Sequence, residues 1–241
     1  LLLEGCVQPL TAPNTNVAAA RILDRLGISA LSVPTAGCCG AMHQHLSDHA
    51  GAQTMMRRNI DAWWPHVEAG AEAIIVTASG CGLMVKEYGA ALKADPHYAA
   101  KAARIGELAR DISEILQQEN LSGFSGTGRG RRIAYQSSCT LQHGQKLGGT
   151  VEKILQRCGY TLTPVADSHL CCGAAGTYTL LQPELSQRLL DNKMLALQQG
   201  LPEIIATANI GCQLHLESAG KLPVKHWIEL LESENFPAAG Q

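Results

Sequence analysis

Nine cysteines dominate the chemistry available to this 241-residue chain. Cys38 and Cys39 are neighbours between Gly37 and Gly40, and the pair returns as Cys171 and Cys172 before Gly173. A disulfide between sequence neighbours is strained, because their Cα atoms are held about 3.8 Å apart. Two core thiols in succession make little sense on a strand, whose successive side chains point to opposite faces. Ligation is the remaining use. The odd number of cysteines also disfavours a closed set of disulfides, and in a reducing compartment cysteines serve metals or catalysis instead.

The spacing sharpens this. Thirty-two residues separate Cys6 from Cys38, and again Cys139 from Cys171; 42 separate Cys39 from Cys81, and 40 separate Cys172 from Cys212. The second set is the first moved by 133 residues, with a slip of two near the end. "GCCGA" at 37–41 returns as "LCCGA" at 170–174, and "ASGCG" at 78–82 answers "NIGCQ" at 209–213. The chain is thus an internal duplication. Cys158 has no counterpart. It falls near the end of the amphipathic run "TVEKILQRCGY" and reads as a small buried hydrophobe.

Elements must bring these cysteines together. In the first half the pattern predicts a strand at 1–5, a helix near 16–26 stopped by Gly27, and a strand at 28–33. The CCG loop, a long helix near 44–69, a strand at 72–77 and a Gly-Cys-Gly loop follow, and "KAARIGELARDISEIL" closes the half as a helix over 101–116. The second half repeats the order: strand 132–137, helix 149–158, strand 160–165, the CCG loop, helix 183–199, strand 203–207, the Gly211–Cys212 loop, and "VKHWIELLESE" as a closing helix over 224–234. Short β-rich runs alternating with helices indicate βαβ units and a parallel sheet. The expected fold is α/β, in two pseudo-repeated halves, each a small parallel sheet flanked by helices. The predicted division is 1–120, a Gly/Ser/Arg-rich linker "LSGFSGTGRGRR" at 121–132, and 133–241.

Each half then places four cysteines in three loops after three strands. Sites in open parallel sheets form at the carboxyl ends of the strands. Cys6, Cys38, Cys39 and Cys81 are expected to converge into one site at that edge of the first sheet, and Cys139, Cys171, Cys172 and Cys212 into a second at the same edge of the other sheet. Flanking glycines allow tight turns around a bulky inorganic group. Four thiolates suit zinc or an iron–sulfur cluster. Zinc sites usually space their ligands as C-x₂₋₄-C on one short loop. Here one pair is adjacent and two ligands stand alone; adjacent side chains are expected to diverge toward different irons of a cluster. A non-redox zinc scaffold and dithiol redox chemistry are the alternatives.

Composition excludes other classes. Hydrophobic residues are 46% and charged residues 17%, so a sizeable core forms, and with 4% aromatics it is built from Ala, Leu, Ile and Val. The net charge of −2, with cations scattered, argues against nucleic acid as a partner. No apolar run approaches the roughly 18 residues of a membrane span, and no signal-peptide pattern is present. No G-x-G-x-x-G follows a predicted strand, so hydride chemistry is expected elsewhere. The start at Leu1, inside an apparent strand, suggests a piece of a longer protein.

The doubled C…CCG…C pattern resembles the cysteine-rich CCG domain family. That family includes the B subunit of heterodisulfide reductase and the iron–sulfur subunits of glycolate, lactate and anaerobic glycerol-3-phosphate dehydrogenases. The stretches "LEGCVQPLTAPNTNVAAARILDRLGIS", "TASGCG", "CTLQHGQKL", "DSHLCCGAAGTY", "DNKM" and "TANIGCQLHL" are most similar to the glycolate-oxidising members. The resemblance implies an electron-transfer subunit with one [4Fe–4S] cluster per half, held by the eight repeated cysteines and inactive alone. It also implies a flavin-bearing partner that oxidises glycolate to glyoxylate, a quinone acceptor, and a cytoplasmic place that can include the inner face of the membrane. Lactate, glycerol-3-phosphate and heterodisulfide systems are the alternatives. Two departures stand out. The C-x-x-C ending of the heterodisulfide reductase form is absent, with Ala78 and Asn209 in its first position. The ferredoxin-like segment that opens such subunits is also absent.

Other polar residues near the cysteines carry weaker signals. His43, His45, His143, His169, His215 and His226 are expected to cap loops, with His143 and His169 the better candidates for contact with a cluster. "AWWP" at 62–65 reads as a packed helix face, and Ser137 and Ser138 as loop hydrogen-bonders.

Overall fold

The computed structural model describes residues 1–232. In the first half, β1 (Leu2–Leu3) is followed by α1 (Asn14–Arg25), α2 (Ala41–His45), α3 (His49–Glu68), β2 (Ile74–Val76), α4 (Ser79–Lys86), α5 (Ala99–Leu108), β3 (Ala109–Asp111) and α6 (Ile112–Leu116). In the second, β4 (Arg132–Gln136) is followed by α7 (Thr150–Arg157), β5 (Thr161–Leu162), α8 (Pro183–Gln198), β6 (Ile204–Thr207), α9 (Ile210–Glu217) and β7 (Val224–His226). Both sheets are wholly parallel. The first runs β1-β2-β3, with Ser32 making one parallel bridge on the far side of β1; the second runs β5-β4-β6-β7. The two orders are the same, as duplication requires.

The central strands β2 and β6 are short and mostly apolar. Ile74–Val76 and Ile204–Thr207 are buried along their whole length, as strands covered on both faces must be. On α1 the buried residues Ala18, Ala19, Ile22 and Leu23 recur at helical spacing and make one core-facing stripe.

Four expected elements differ. The strand at 28–33 reduces to the single bridge at Ser32. The long helix at 44–69 is broken at Ser47, whose φ of 63° cannot continue a helix; Asp48 then caps α3 by accepting from Gly51 N. The closing helix at 101–116 is split, because Ala109–Asp111 pairs alongside β2. Asp111 ends that strand and caps α6 in a reciprocal capping box with Glu114. The closing segment at 224–234 is likewise β7 followed by a 3₁₀ turn at Trp227–Leu231, and residues 233 and 234 lie outside the described part. Helical pattern loses in both places to pairing at a sheet edge, where burial outweighs local propensity. Each half therefore has a fourth strand position rather than three.

The largest core belongs to both halves. It joins Leu2, Ile22 and Ile75 to Ile133, Tyr135 and Trp227, with Leu121 and Phe124 of the connecting segment buried in it. Cys158 is fully buried there, and burial pushes its thiol up to about 11, as expected of a thiol acting as a hydrophobe. Trp63 is fully buried on α3, while the Trp64 indole N–H donates to Glu68 at the surface.

Candidate functional site

Four of the eight repeated cysteines lie just past the carboxyl ends of strands, and the two CC pairs lie farther along the loops after Ser32 and after β5. Cys6 follows β1 and Cys139 follows β4; Cys81 and Cys212 are each the third residue of a helix, α4 and α9, after β2 and β6. The CC pairs sit on loops before α2 and before the second long helix, α8. Within each half the thiols form a hydrogen-bonded chain in the same order. Cys6 touches Cys38, Cys38 touches Cys39 and Cys39 touches Cys81. Cys139 touches Cys171, Cys171 touches Cys172, and Cys172 lies 3.2 Å from Cys212, sulfur to sulfur. All are free thiols.

The adjacent side chains do not diverge, contrary to the expectation from their spacing. The loop is not a strand, and the Cys38 and Cys39 sulfurs are turned onto one another, as are those of Cys171 and Cys172. Glycine makes this turn. Gly40 and Gly173 have φ of +89° and +94°, and a Cβ there would lie 3.0 Å from Ala52 O and 2.5 Å from Ser186 O respectively. Each CCG loop is thus pressed against the long helix that follows it, a place no other residue fills without strain.

The electrostatics repeat too. Cys38 is held well below the ordinary thiol range by hydrogen bonds from the Cys39 and Cys6 thiols and from Gly40 N. Cys171 is lowered in the same way by Cys139, Cys172 and Gly173 N. Their neighbours Cys6, Cys39, Cys139 and Cys172 are raised, first because each hydrogen-bonds to that thiolate. In each half one sulfur, Cys38 or Cys171, accepts from two neighbouring thiols, while the fourth, Cys81 or Cys212, contacts Cys39 or Cys172 instead.

The supporting residues differ between halves. In the first, Gly37 N donates to Asn59 Oδ1 at 2.8 Å, Asn59 Nδ2 donates to Cys38 O at 2.9 Å, and the Tyr88 hydroxyl donates to Cys39 O at 2.9 Å. In the second, Lys193 Nζ donates to Asp167 O and Ser168 O, while Ser186 Oγ donates to Gly173 O and accepts from His215 Nε2. Asn209 caps α9 through Gly211 N and Cys212 N. Its Nδ2 also donates to Ser79 Oγ, which lies 2.8 Å from both Ser138 Oγ and Thr140 Oγ1. This knot of hydroxyls links the loop before Cys81 to those of Cys139 and Cys212. Ser138 is the loop hydrogen-bonder expected, whereas Ser137 Oγ has no partner among the described residues.

Histidines play a smaller part. His43 faces Cys38 and donates to Asp48 at the surface. His45 is exposed, and His143, also exposed, reaches the backbone of His169 at 3.5 Å. His226 is buried and donates to Thr77 O. Sequence reasoning assigned no role to Asn59, Tyr88, Lys193 or Ser79. A signal existed for Lys193: it lies among Leu190, Met194 and Leu197 at i, i+3, i+4, i+7 spacing, a lysine on a helix's apolar face.

Among the described residues no group of three or more His, Cys, Asp and Glu is set to hold a single metal ion. Four thiols meeting without disulfides are nonetheless the donor set of an iron–sulfur cluster, whose irons are bound by cysteine thiolates. The residues present fit that group.

The family model of the cysteine-rich domain, CCG, matches residues 1–86 and 133–217, one match in each half. The glycolate oxidase iron-sulfur subunit of Escherichia coli (strain K12) is 58% identical over 232 residues, covering 96% of this chain and 57% of that protein. Lactate utilization protein A of Geobacillus thermodenitrificans (strain NG80-2) is 26% identical, covering 97% of this chain and 98% of that protein. Its counterpart in Anoxybacillus flavithermus (strain DSM 21510 / WK1) is 27% identical, over 95% of this chain and 97% of that protein. The chain spans a little over half the length of the glycolate oxidase relative.

Proposed function

The chain belongs to the cysteine-rich CCG domain family, and on that premise we propose that it is the electron-carrying part of a glycolate-oxidising dehydrogenase. The observation that carries this reading is the pair of identical thiol chains, Cys6–Cys38–Cys39–Cys81 and Cys139–Cys171–Cys172–Cys212. The likeness to the E. coli glycolate oxidase iron-sulfur subunit supplies the substrate system. The eight cysteines would hold one [4Fe–4S] cluster per half, each able to take up and release one electron. The chain's own residues fix the ligand loops: Asn59 and Tyr88 in the first half, Lys193, Ser186 and Asn209 in the second. Electrons would come from a flavin-bearing partner subunit and pass toward a quinone. No described helix is long and apolar enough to cross a membrane; the reading puts the chain in the cytoplasm, where the inner face of the membrane is within its reach.

The test is anaerobic purification or reconstitution, followed by iron analysis and anaerobic mixing with the flavin subunit and glycolate. The expected protein is brown, with about eight irons per pair of [4Fe–4S] sites, and glycolate bleaches it. Zinc without iron overturns the cluster assignment. A second reading has its own support, since the chain covers almost all of lactate utilization protein A. Bleaching by lactate but not glycolate selects that system instead.

A further inference from the structure

The long helices that follow the two CC loops correspond residue for residue. Ala52, Met56, Asn59, Ile60 and Trp63 are the buried positions of α3, and Ser186, Leu190, Lys193, Met194 and Leu197 are those of α8, each 134 positions later. The register is fixed independently where Gly40 abuts Ala52 and Gly173 abuts Ser186. Asn59 and Lys193 are therefore equivalents, and both hold the backbone of a CC loop. Asn59 holds Gly37 N and Cys38 O; Lys193 holds Asp167 O and Ser168 O, at 3.3 and 3.1 Å. One is a neutral amide and the other an ammonium.

Lys193 is only 2% exposed, a costly place for a cation. Burial lowers its pKa, and the opposing influences are the four second-half thiols themselves, Cys172, Cys139, Cys171 and Cys212. Among the described residues the first half has no comparable buried cation; its buried ionisable group is the acid Asp111. His43, which faces Cys38, is half exposed and tied to Asp48. The Arg58 guanidinium packs 3.6 Å from the Cβ position of Gly37, but its residue is exposed and it donates to Thr35 O. Water screens an exposed charge far more than a buried one.

We propose that Lys193 makes the second half the electron-holding end of the pair: its buried positive charge favours the extra negative charge of a reduced cluster on Cys139, Cys171, Cys172 and Cys212, where the first half has neutral Asn59. The inference rests on the iron–sulfur reading. An electron from the flavin-bearing partner that reaches the first half passes to the second: the first half gives up one electron and is oxidised, the second gains it and is reduced, and no bond or proton changes place.

The test is a redox titration followed by electron paramagnetic resonance on anaerobically prepared protein. Cys171→Ser isolates the first site and Cys38→Ser the second. The second-site midpoint is expected to be the more positive. In Lys193→Met, which keeps the aliphatic stem, the reduced-to-oxidised ratio of the second site at a fixed poise should fall about tenfold, the scale of one screened charge, or about 59 mV for one electron. The first-site midpoint should not move. Lys193→Arg should restore the ratio, which a purely structural role does not predict, and Asn59→Lys should make the first-site midpoint more positive. An unmoved second midpoint in iron-loaded Lys193→Met overturns the inference. If that variant takes up no iron, the wild-type order decides, and a first site at or above the second overturns it. Wild-type protein without iron in either half is a different failure, that of the cluster reading, and iron analysis identifies it before any titration.

Discussion

Asp111 and His226 hold the same position in the two halves. Each ends the last strand of its sheet, each caps the short helix that follows, and each is fully buried. Asp111 Oδ1 accepts from Ser113 N at 2.9 Å, and His226 Nδ1 accepts from Ile228 N at 3.2 Å. The His226 imidazole uses its other nitrogen to donate across to Thr77 O at 2.9 Å, tying β7 to the end of β2. Asp111 Oδ2 has no partner among the described residues.

These two groups should give the protein opposed pH dependences. Burial lowers His226 from 6.5 to about 4, so the unfolded chain binds the proton more readily and stability falls as pH drops from 6.5 to 4. Burial raises Asp111 from 3.8 to about 6, so the folded chain binds the proton more readily and stability falls as pH rises from 3.8 to 6. At about 1.4 kcal/mol per pH unit of difference, each is worth about 3 kcal/mol. His226→Gln should remove the acid-side loss, and Asp111→Asn should leave it unopposed. Urea midpoints from pH 4 to 7 check both; slopes unchanged from wild type in either variant refute the assignment.

Iron content should follow the thiol chains. Cys38→Ser and Cys171→Ser should each lose the iron of their own half, because each removes the sulfur to which its neighbours donate. Cys158→Ser, in the core at the end of α7, should keep all of it. Full iron in either of the first two variants would show that the ligands lie elsewhere.

The CCG glycines should be unequal. Alanine at either position meets a positive φ, costing about 1–2 kcal/mol. Gly173→Ala also drives its Cβ to 2.5 Å from Ser186 O, against 3.0 Å for Gly40→Ala and Ala52 O. Thermal unfolding should therefore place Gly173→Ala below Gly40→Ala, and equal losses would mean that the loop moves freely off the helix.

The hydroxyl knot between the halves should matter more than its size suggests. Ser79→Ala removes the partner of Ser138, Thr140 and Asn209 at one stroke, and unmet buried polar groups cost about 1–3 kcal/mol. Asn209→Ala should cost about 1 kcal/mol through the lost helix cap alone. The double variant should lose less than the sum, because the two share a hydrogen bond. Additive losses in urea titrations would mean that the contact carries no energy.

Much of this was legible beforehand, in particular places. The 133-residue echo of the cysteines predicted two halves and three ligand loops per half, and the parallel sheets put those loops at the strand ends as expected. The closing strands were hidden, because Ala109–Asp111 and Val224–His226 are three-residue pieces inside helical patterns. Their strand character comes from pairing with β2 and β6, which no local window contains. His143 and His169 drew attention by nearness in sequence, yet their side chains lie at the surface.

The sequence by itself determined the duplication, the eight repeated cysteines and the α/β alternation, because covalent order and hydrophobic period are written along the chain. Tertiary structure alone decided how the halves differ and how they join. It turned adjacent thiols onto one another, set Lys193 opposite the position that Asn59 fills, and sent the His226 proton across to Thr77. Those outcomes depend on burial and on what faces a side chain from another element. Both change the cost of a charge or an unpaired polar atom by several kcal/mol, and neither is visible in the residue alone.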